Sequence, residues 1–234
     1  MLENKHIALV AMGQSQLDYH MSISHSEEYD EVWAINSMCA VVKCDRVFMM
    51  DPASRFFDTF DAGPQTRVMR KTLPRLDVPI YSCELDNRVP AIELFPLEEL
   101  VKALGCAYLN NTIAYAIAFA LLNKVGKLSL FGVDFSYKTN VHFGELGRGC
   151  CEFWLSKCMD AGMDVSIGAR SPILDTTVPL KEKLYGYHRL DNPPVVYLDK
   201  GELVVGKFSD VMKEEAPSGV SGRQDIGPPE PEKY

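Results

Sequence analysis

Six short apolar runs govern what this chain can fold into. Ile7 to Ala11, Glu31 to Ile35, Arg46 to Met50, Pro79 to Ser82, Lys127 to Phe131 and Asp164 to Ile167 each have the length of a strand, and their apolar residues are continuous rather than alternating. A strand wetted on one face alternates apolar with polar; a strand covered on both faces has no reason to. Continuous runs separated by helical segments therefore predict the α/β class: a Rossmann-like, mostly parallel sheet with helices on both faces.

The intervening segments agree. Asn110 and Asn111 offer an N-cap for a helix from Thr112 to Asn123 that has almost no polar face, so it should be central and buried. Leu97 to Leu104 is a shorter amphipathic helix ended by Gly105. Arg148 to Ala161 is another, ended by Gly162 at the usual C-terminal glycine position. Beyond Ile167 the pattern fades. Val195 to Leu198 and Leu203 to Phe208, joined through Asp199-Lys200-Gly201-Glu202, read as a β-hairpin and a candidate contact for a homo-oligomer. The closing stretch, rich in Glu, Pro, Gly and Ser, is too poor in apolar residues to order itself. The expected organisation is one nucleotide-binding α/β domain over residues 1–190, a hairpin extension over 191–210 and a disordered tail over 211–234.

Composition narrows the partners. At 234 residues and 47% apolar content, the chain can bury a full core. Its net charge of −8 argues against a nonspecific grip on nucleic acid, while a local basic patch would leave that role open. No apolar run reaches the roughly 20 residues that cross a bilayer, and Ile7 to Met12 is too short for a signal-peptide core. The expected setting is cytoplasmic, with no membrane partner. Seven cysteines scattered through apolar segments read as small buried hydrophobes in a reducing compartment, and no pair has a zinc-ribbon spacing.

In an open parallel sheet, ligands bind beyond the carboxyl ends of the strands, near the point where strand order reverses. The strand ends are accordingly where chemistry is sought. The first delivers Gly13-Gln14-Ser15, a small-residue turn that could present N–H groups to a phosphate although it matches neither a dinucleotide fingerprint nor a P-loop. The second ends in Asn36 and the third in Asp51; each could read a base or ribose, or could instead cap a turn or helix. Asn111 and Thr112 open the buried helix. The run Leu130 to His142 leaves its strand through Gly132 and Asp134. His142 is the candidate general acid or base, because imidazole titrates near neutrality. Asp134, Glu145 and Glu152 are candidates to orient it, with Arg148 beside them in a supporting role. Nothing has a convincing metal-ligand spacing.

Taken in order, Ile7 to Ser15, Val32 to Asn36, Cys44 to Pro52, Asn110 to Ala120 and Leu130 to Phe135 resemble the fold shared by bacterial CMP-sialic-acid-dependent sialyltransferases, flagellin motility accessory factors and archaeal hydroxymethyl-dihydropterin pyrophosphokinases. Small phage-encoded members of that group also carry segments similar to Arg148 to Leu155, Ser171 to Leu174 and Leu184 to Tyr187, which would make the setting a host cytoplasm. By this resemblance Gly13 to Ser15 would lie beside nucleotide phosphates, with Gln14 where the family has proline. Asn36 would contact the nucleotide, and Asp51 stands where the sialyltransferases have asparagine. His142 falls in the region that supplies their catalytic base, and Tyr137 is the candidate for a phosphate-binding tyrosine.

The function expected is a nucleotide-dependent transferase, foremost a glycosyltransferase with a nucleotide-sugar donor, no permanently bound cofactor and an acceptor the sequence does not name. The alternatives are a pyrophosphokinase, which alone would need a divalent ion such as Mg2+, a noncatalytic nucleotide or nucleotide-sugar binder in counter-defence, and a transferase modifying phage DNA bases.

Overall fold

A computed structural model describes residues 2–137, 140–200 and 202–214. They fall into two compact units, divided between Thr177 and Val178. The first unit is built on a seven-stranded sheet of order β5-β4-β3-β2-β1-β6-β7. Its strands are β1 (His6–Val10), β2 (Glu31–Ile35), β3 (Arg46–Phe48), β4 (Ile80–Ser82), β5 (Ile92–Leu94), β6 (Lys127–Phe131) and β7 (Asp164–Ile167). Every pairing is parallel.

The continuous apolar runs have the cause inferred for them. Along β1, Ile7 and Leu9 enter one core while Ala8 and Val10 enter the other; along β2, Trp33 and Ile35 face the first and Ala34 the second. One core is closed by α4 (Leu97–Leu104), α5 (Thr112–Leu122) and α6 (Val141–Asp160). The other is closed by α1 (Leu17–Ser24), α2 (Ala53–Asp58) and α3 (Pro64–Thr72). α5 buries Ala114, Ala116, Ile117, Ala118 and Ala120 completely, and Asn111 caps it as expected, its side chain accepting from Ala114 N at 3.0 Å.

The amino ends of the strands are clipped together by Glu31. Its carboxylate accepts from Lys5 Nζ at 3.1 Å, Trp33 Nε1 at 3.0 Å and Arg46 Nε at 2.7 Å, while Arg46 Nη1 reaches Tyr81 Oη at 3.0 Å. Burial pushes the Glu31 carboxyl up, but the hydrogen bonds from Arg46, Trp33 and Lys5 together outweigh it and hold it at about 2, against an ordinary 4.5. A carboxyl lowered by folding stabilises the fold above its unfolded value and loses that contribution as pH falls toward its folded one. The stability difference between wild type and Glu31→Gln should therefore shrink by about 3 kcal/mol as the pH drops from neutrality to about 2. Urea unfolding across that range measures it; a difference constant with pH would show that the clip is not electrostatic.

The second unit holds an antiparallel pair, β8 (Pro194–Asp199) with β9 (Glu202–Lys207), in the hairpin the sequence predicts. A last helix, α7 (Phe208–Glu214), follows directly. Order thus continues past the 210 boundary drawn from composition, because Asn192 grips the start of this helix: its Oδ1 accepts from Ser209 N at 3.0 Å and its Nδ2 donates to Ser209 Oγ at 2.9 Å. The rest of the expected tail, 215–234, lies outside the described residues.

Candidate functional site

Strand order reverses between β1 and β6, and their exits are locked to each other. Ala11 N donates to Phe131 O at 2.7 Å and Gly13 N to Gly132 O at 2.8 Å. Ser15 N donates to Asp134 Oδ2 at 2.8 Å, Ser15 Oγ donates to Asp134 Oδ1, and Gly132 N donates to Ser15 Oγ at 2.9 Å. Both glycines are required by closeness. A Cβ on Gly13 would lie 2.5 Å from Asp134 Oδ2, and one on Gly132, whose φ is +71°, would lie 2.1 Å from Ala11 O. The Gly-Gln-Ser and Gly-Val-Asp segments are thus two halves of one fastening.

That fastening revises two expectations. The turn at Gly13 spends its N–H at Gly13 and Ser15 on Gly132 O and Asp134 and places a carboxylate beside itself, so it is no open phosphate cradle. Asp134 directs both oxygens to Ser15, tying the β1 exit to the β6 exit, and no imidazole is hydrogen-bonded to it among the described residues.

Beyond the fastening lies a cavity of about 990 Å³. Gly13, Gln14 and Ser15 line it from β1, Asn36 from β2, Asp51 from β3, Asn111 and Thr112 from α5, and Asp134 and Tyr137 from β6. Every candidate nucleotide-binding residue read from the sequence is therefore brought together. They differ in what they have left to offer. Asn111 is fully engaged: besides capping α5, its Nδ2 donates to Asn110 Oδ1 at 2.8 Å and to Gly147 O at 3.2 Å. Asp51 does not cap α2, whose N-cap is Pro52; its Oδ1 instead accepts from Arg55 Nη1 at 2.7 Å. Asn36 caps nothing either. It starts the 3-10 turn Asn36–Ala40 in the left-handed region, φ 50°, and its buried Oδ1 has no partner among the described residues. Burial pushes the Tyr137 phenol up, so it stays a neutral donor at physiological pH.

His142, Glu145, Arg148 and Glu152 do not line the cavity. The helix expected to begin at Arg148 begins at Val141, capped by Asn140 Oδ1 accepting from Phe143 N, so all four sit on α6 and not in a loop. His142 and Glu145 are exposed, and the next residue after His142, Phe143, reaches the cavity mouth and meets the Tyr137 ring edge-to-face at 5.5 Å. Arg148 is held by Glu152 at 2.8 Å and Asp175 at 2.6 Å, and Glu152 Oε1 also accepts from Leu174 N. These ions pin α6 to the turn at 173–175; no hydrogen bond joins His142 to Asp134, Glu145 or Glu152 among the described residues.

Two lining cations were missed. Arg55 pairs with Asp51 and Asp61, and Arg170 with Asp18 at 3.4 Å. Arg55 stands four residues after Asp51 at the start of a helix, a spacing that could have found it. Nothing local marks Arg170, whose partner is more than a hundred residues earlier. Among the described residues no three His, Cys, Asp or Glu side chains converge as a metal would require, and no helix is long and apolar enough to cross a membrane.

A parallel sheet whose crevice at the reversal of strand order is ringed by polar strand ends defines a Rossmann-like α/β fold, the class in which that crevice is the usual place for a ligand. No family model and no curated protein matches the chain. Among solved structures it is similar to the sialyltransferase CstII from Campylobacter jejuni. In complex with the substrate analogue CMP-3FNeuAc that enzyme matches at 14% identity and a TM-score of 0.49, over 74% of this chain and 84% of the other. In complex with cytidine-5'-monophosphate it matches at 13% identity and 0.47, over 90% and 98%.

Proposed function

We propose that the chain is a nucleotide-dependent transferase, foremost a glycosyltransferase that uses a nucleotide-sugar donor. The observation that carries this reading is the orphaned Oδ1 of Asn36, a buried acceptor without a donor on a residue that lines the cavity. Such an atom costs about 1–3 kcal/mol unless something satisfies it, and a base amine, ring N–H or ribose hydroxyl would do so. Asp51, next along the sheet, adds a second acceptor. The start of α5, where Thr112 and Ile113 line the cavity at the positive end of a helix dipole, suits the phosphates better than the Gly13 turn does. Arg55 and Arg170 also line the cavity, each already paired with carboxylates, Arg55 with Asp51 and Asp61 and Arg170 with Asp18.

Native mass spectrometry against CMP-, UDP- and GDP-sugars, ATP and cyclic nucleotides tests the reading. One of them should bind at a ratio of one to one, and binding of none would remove it. Asn36→Gly should then weaken that ligand about tenfold or more while leaving stability unchanged or improved, because glycine accepts φ 50° and deletes an unsatisfied atom. Loss of affinity with an equal loss of stability would assign Asn36 to the fold instead.

One observation favours a second reading, a noncatalytic binder: no histidine is among the described residues that line the cavity. It predicts recovery of the bound ligand unaltered. The pyrophosphokinase reading is separated by chelation, which would abolish that activity and leave binding of a nucleotide sugar intact.

A further inference from the structure

A second recess differs from the cleft in charge as well as in position. Residues 64–76 carry Arg67, Arg70, Lys71 and Arg75 and no acid, in a chain that is otherwise acidic. Arg70 is spent on structure: its guanidinium donates to the carbonyls of Phe56 at 2.9 Å and Phe57 at 3.1 Å and lies over the Phe60 ring. Lys71 and Arg75 are exposed, with no carboxylate within ion-pair distance among the described residues. Both line a groove of about 450 Å³ between α3 and the 3-10 turn Asn36–Ala40.

The rest of that groove is mostly apolar. Ala40, Val68 and Leu76 form its walls, Thr72 contributes a hydroxyl, and no carboxylate lines it. Cys39, also in the lining, is no nucleophile, because burial first, with the neighbouring Cys44, pushes its thiol to about 12. Two unneutralised cations lining one groove, Lys71 near the end of α3 and Arg75 in the 3-10 turn Leu73–Arg75 that follows it, can share one anion. An apolar wall beside them favours an anion that carries a flat or aliphatic body over a bare ion. We infer that this groove is a second binding site, for a small monoanion or dianion of phosphate or carboxylate type borne on an apolar ring, with Lys71 and Arg75 holding the charge and Val68 and Leu76 the ring. The site is separate from the cleft and does not depend on the transferase reading.

Amide NMR titration of the intact chain with phenyl phosphate, inorganic phosphate and benzyl alcohol tests it. Phenyl phosphate should give saturable shifts at Ala40, Lys71, Thr72 and Arg75 and bind about tenfold tighter than either fragment. Lys71→Glu/Arg75→Glu should weaken it by about tenfold or more, and Lys71→Gln/Arg75→Gln, which adds no repulsion, by a smaller factor in the same direction. Equal binding of phenyl phosphate and phosphate would overturn the proposal by removing the apolar wall from it. So would an equal loss from Arg67→Glu, a cation of the same helix outside the groove, because general surface charge would then suffice.

Discussion

Gly132→Ala is expected to cost about 4 kcal/mol or more of folding stability, enough to consume much of what a domain of this kind has. Two penalties combine. The φ of +71° is left-handed, which costs an L-residue with a Cβ roughly 1–2 kcal/mol. The greater penalty is steric: the new methyl would stand 2.1 Å from Ala11 O. That oxygen cannot retreat, because the flanking Ala11 N and Gly13 N are tied to Phe131 O and Gly132 O at the centre of the sheet. Gly105 is the matched control. Its φ is +64° but nothing lies within 4 Å of its Cβ position, so Gly105→Ala should show the backbone penalty alone, about 1 kcal/mol. Urea unfolding of the two variants separates the steric cost from the conformational one. Equal losses would mean that the β1 and β6 exits can slide apart, and the cleft would then have no rigid floor.

The same fastening shows what the sequence could and could not say. Each long strand was legible because a residue facing one core is followed by a residue facing the other, and that leaves an unbroken apolar run. β5 was not: Ile92-Glu93-Leu94 is an edge strand whose last two residues are exposed, so it lacks the run. α2 is legible only as the helix that Asp51 and Pro52 could open, and α3 is not legible at all, because charged residues outnumber the few apolar side chains that face the core. The first two turns of α6 lie outside the helix that the sequence predicts from Arg148, and they hold Gly144 and Gly147, poor helix formers. Their reason is tertiary: a Cβ on Gly144 would lie 2.5 Å from Phe135 O, and one on Gly147 would lie 2.5 Å from the Phe135 ring. Site residues at strand ends were legible for a topological reason, since every parallel strand delivers its carboxyl end to one edge. Arg170 was not, because its place depends on a long-range partner. Arg148 and Glu152 have the chemistry of a site, but their distances make them a brace.

His142→Ala is expected, on the transferase reading, to lower turnover about 100-fold or more while leaving nucleotide affinity within about twofold, the signature of a lost general base. The reasoning begins with what His142 does not do. It is exposed on the first turn of α6 and makes no hydrogen bond among the described residues, so its removal should shift stability by no more than about 0.5 kcal/mol. A fall in turnover could then not be ascribed to the fold. Its position adjoins the cleft without entering it: Phe143, which follows, lines the mouth against Tyr137. On the transferase reading a base there would meet an acceptor arriving from solvent, with the donor held in the cavity. If His142→Ala turns over normally, the proton must go elsewhere, and Asp51 is the carboxylate to replace next. It lines the cavity, and only its Oδ1 is committed, to Arg55. Asp51→Asn would then carry the loss. If neither change matters because no turnover exists to lose, the noncatalytic reading takes over, and it stands or falls on whether Asn36→Gly weakens a nucleotide that the intact chain binds.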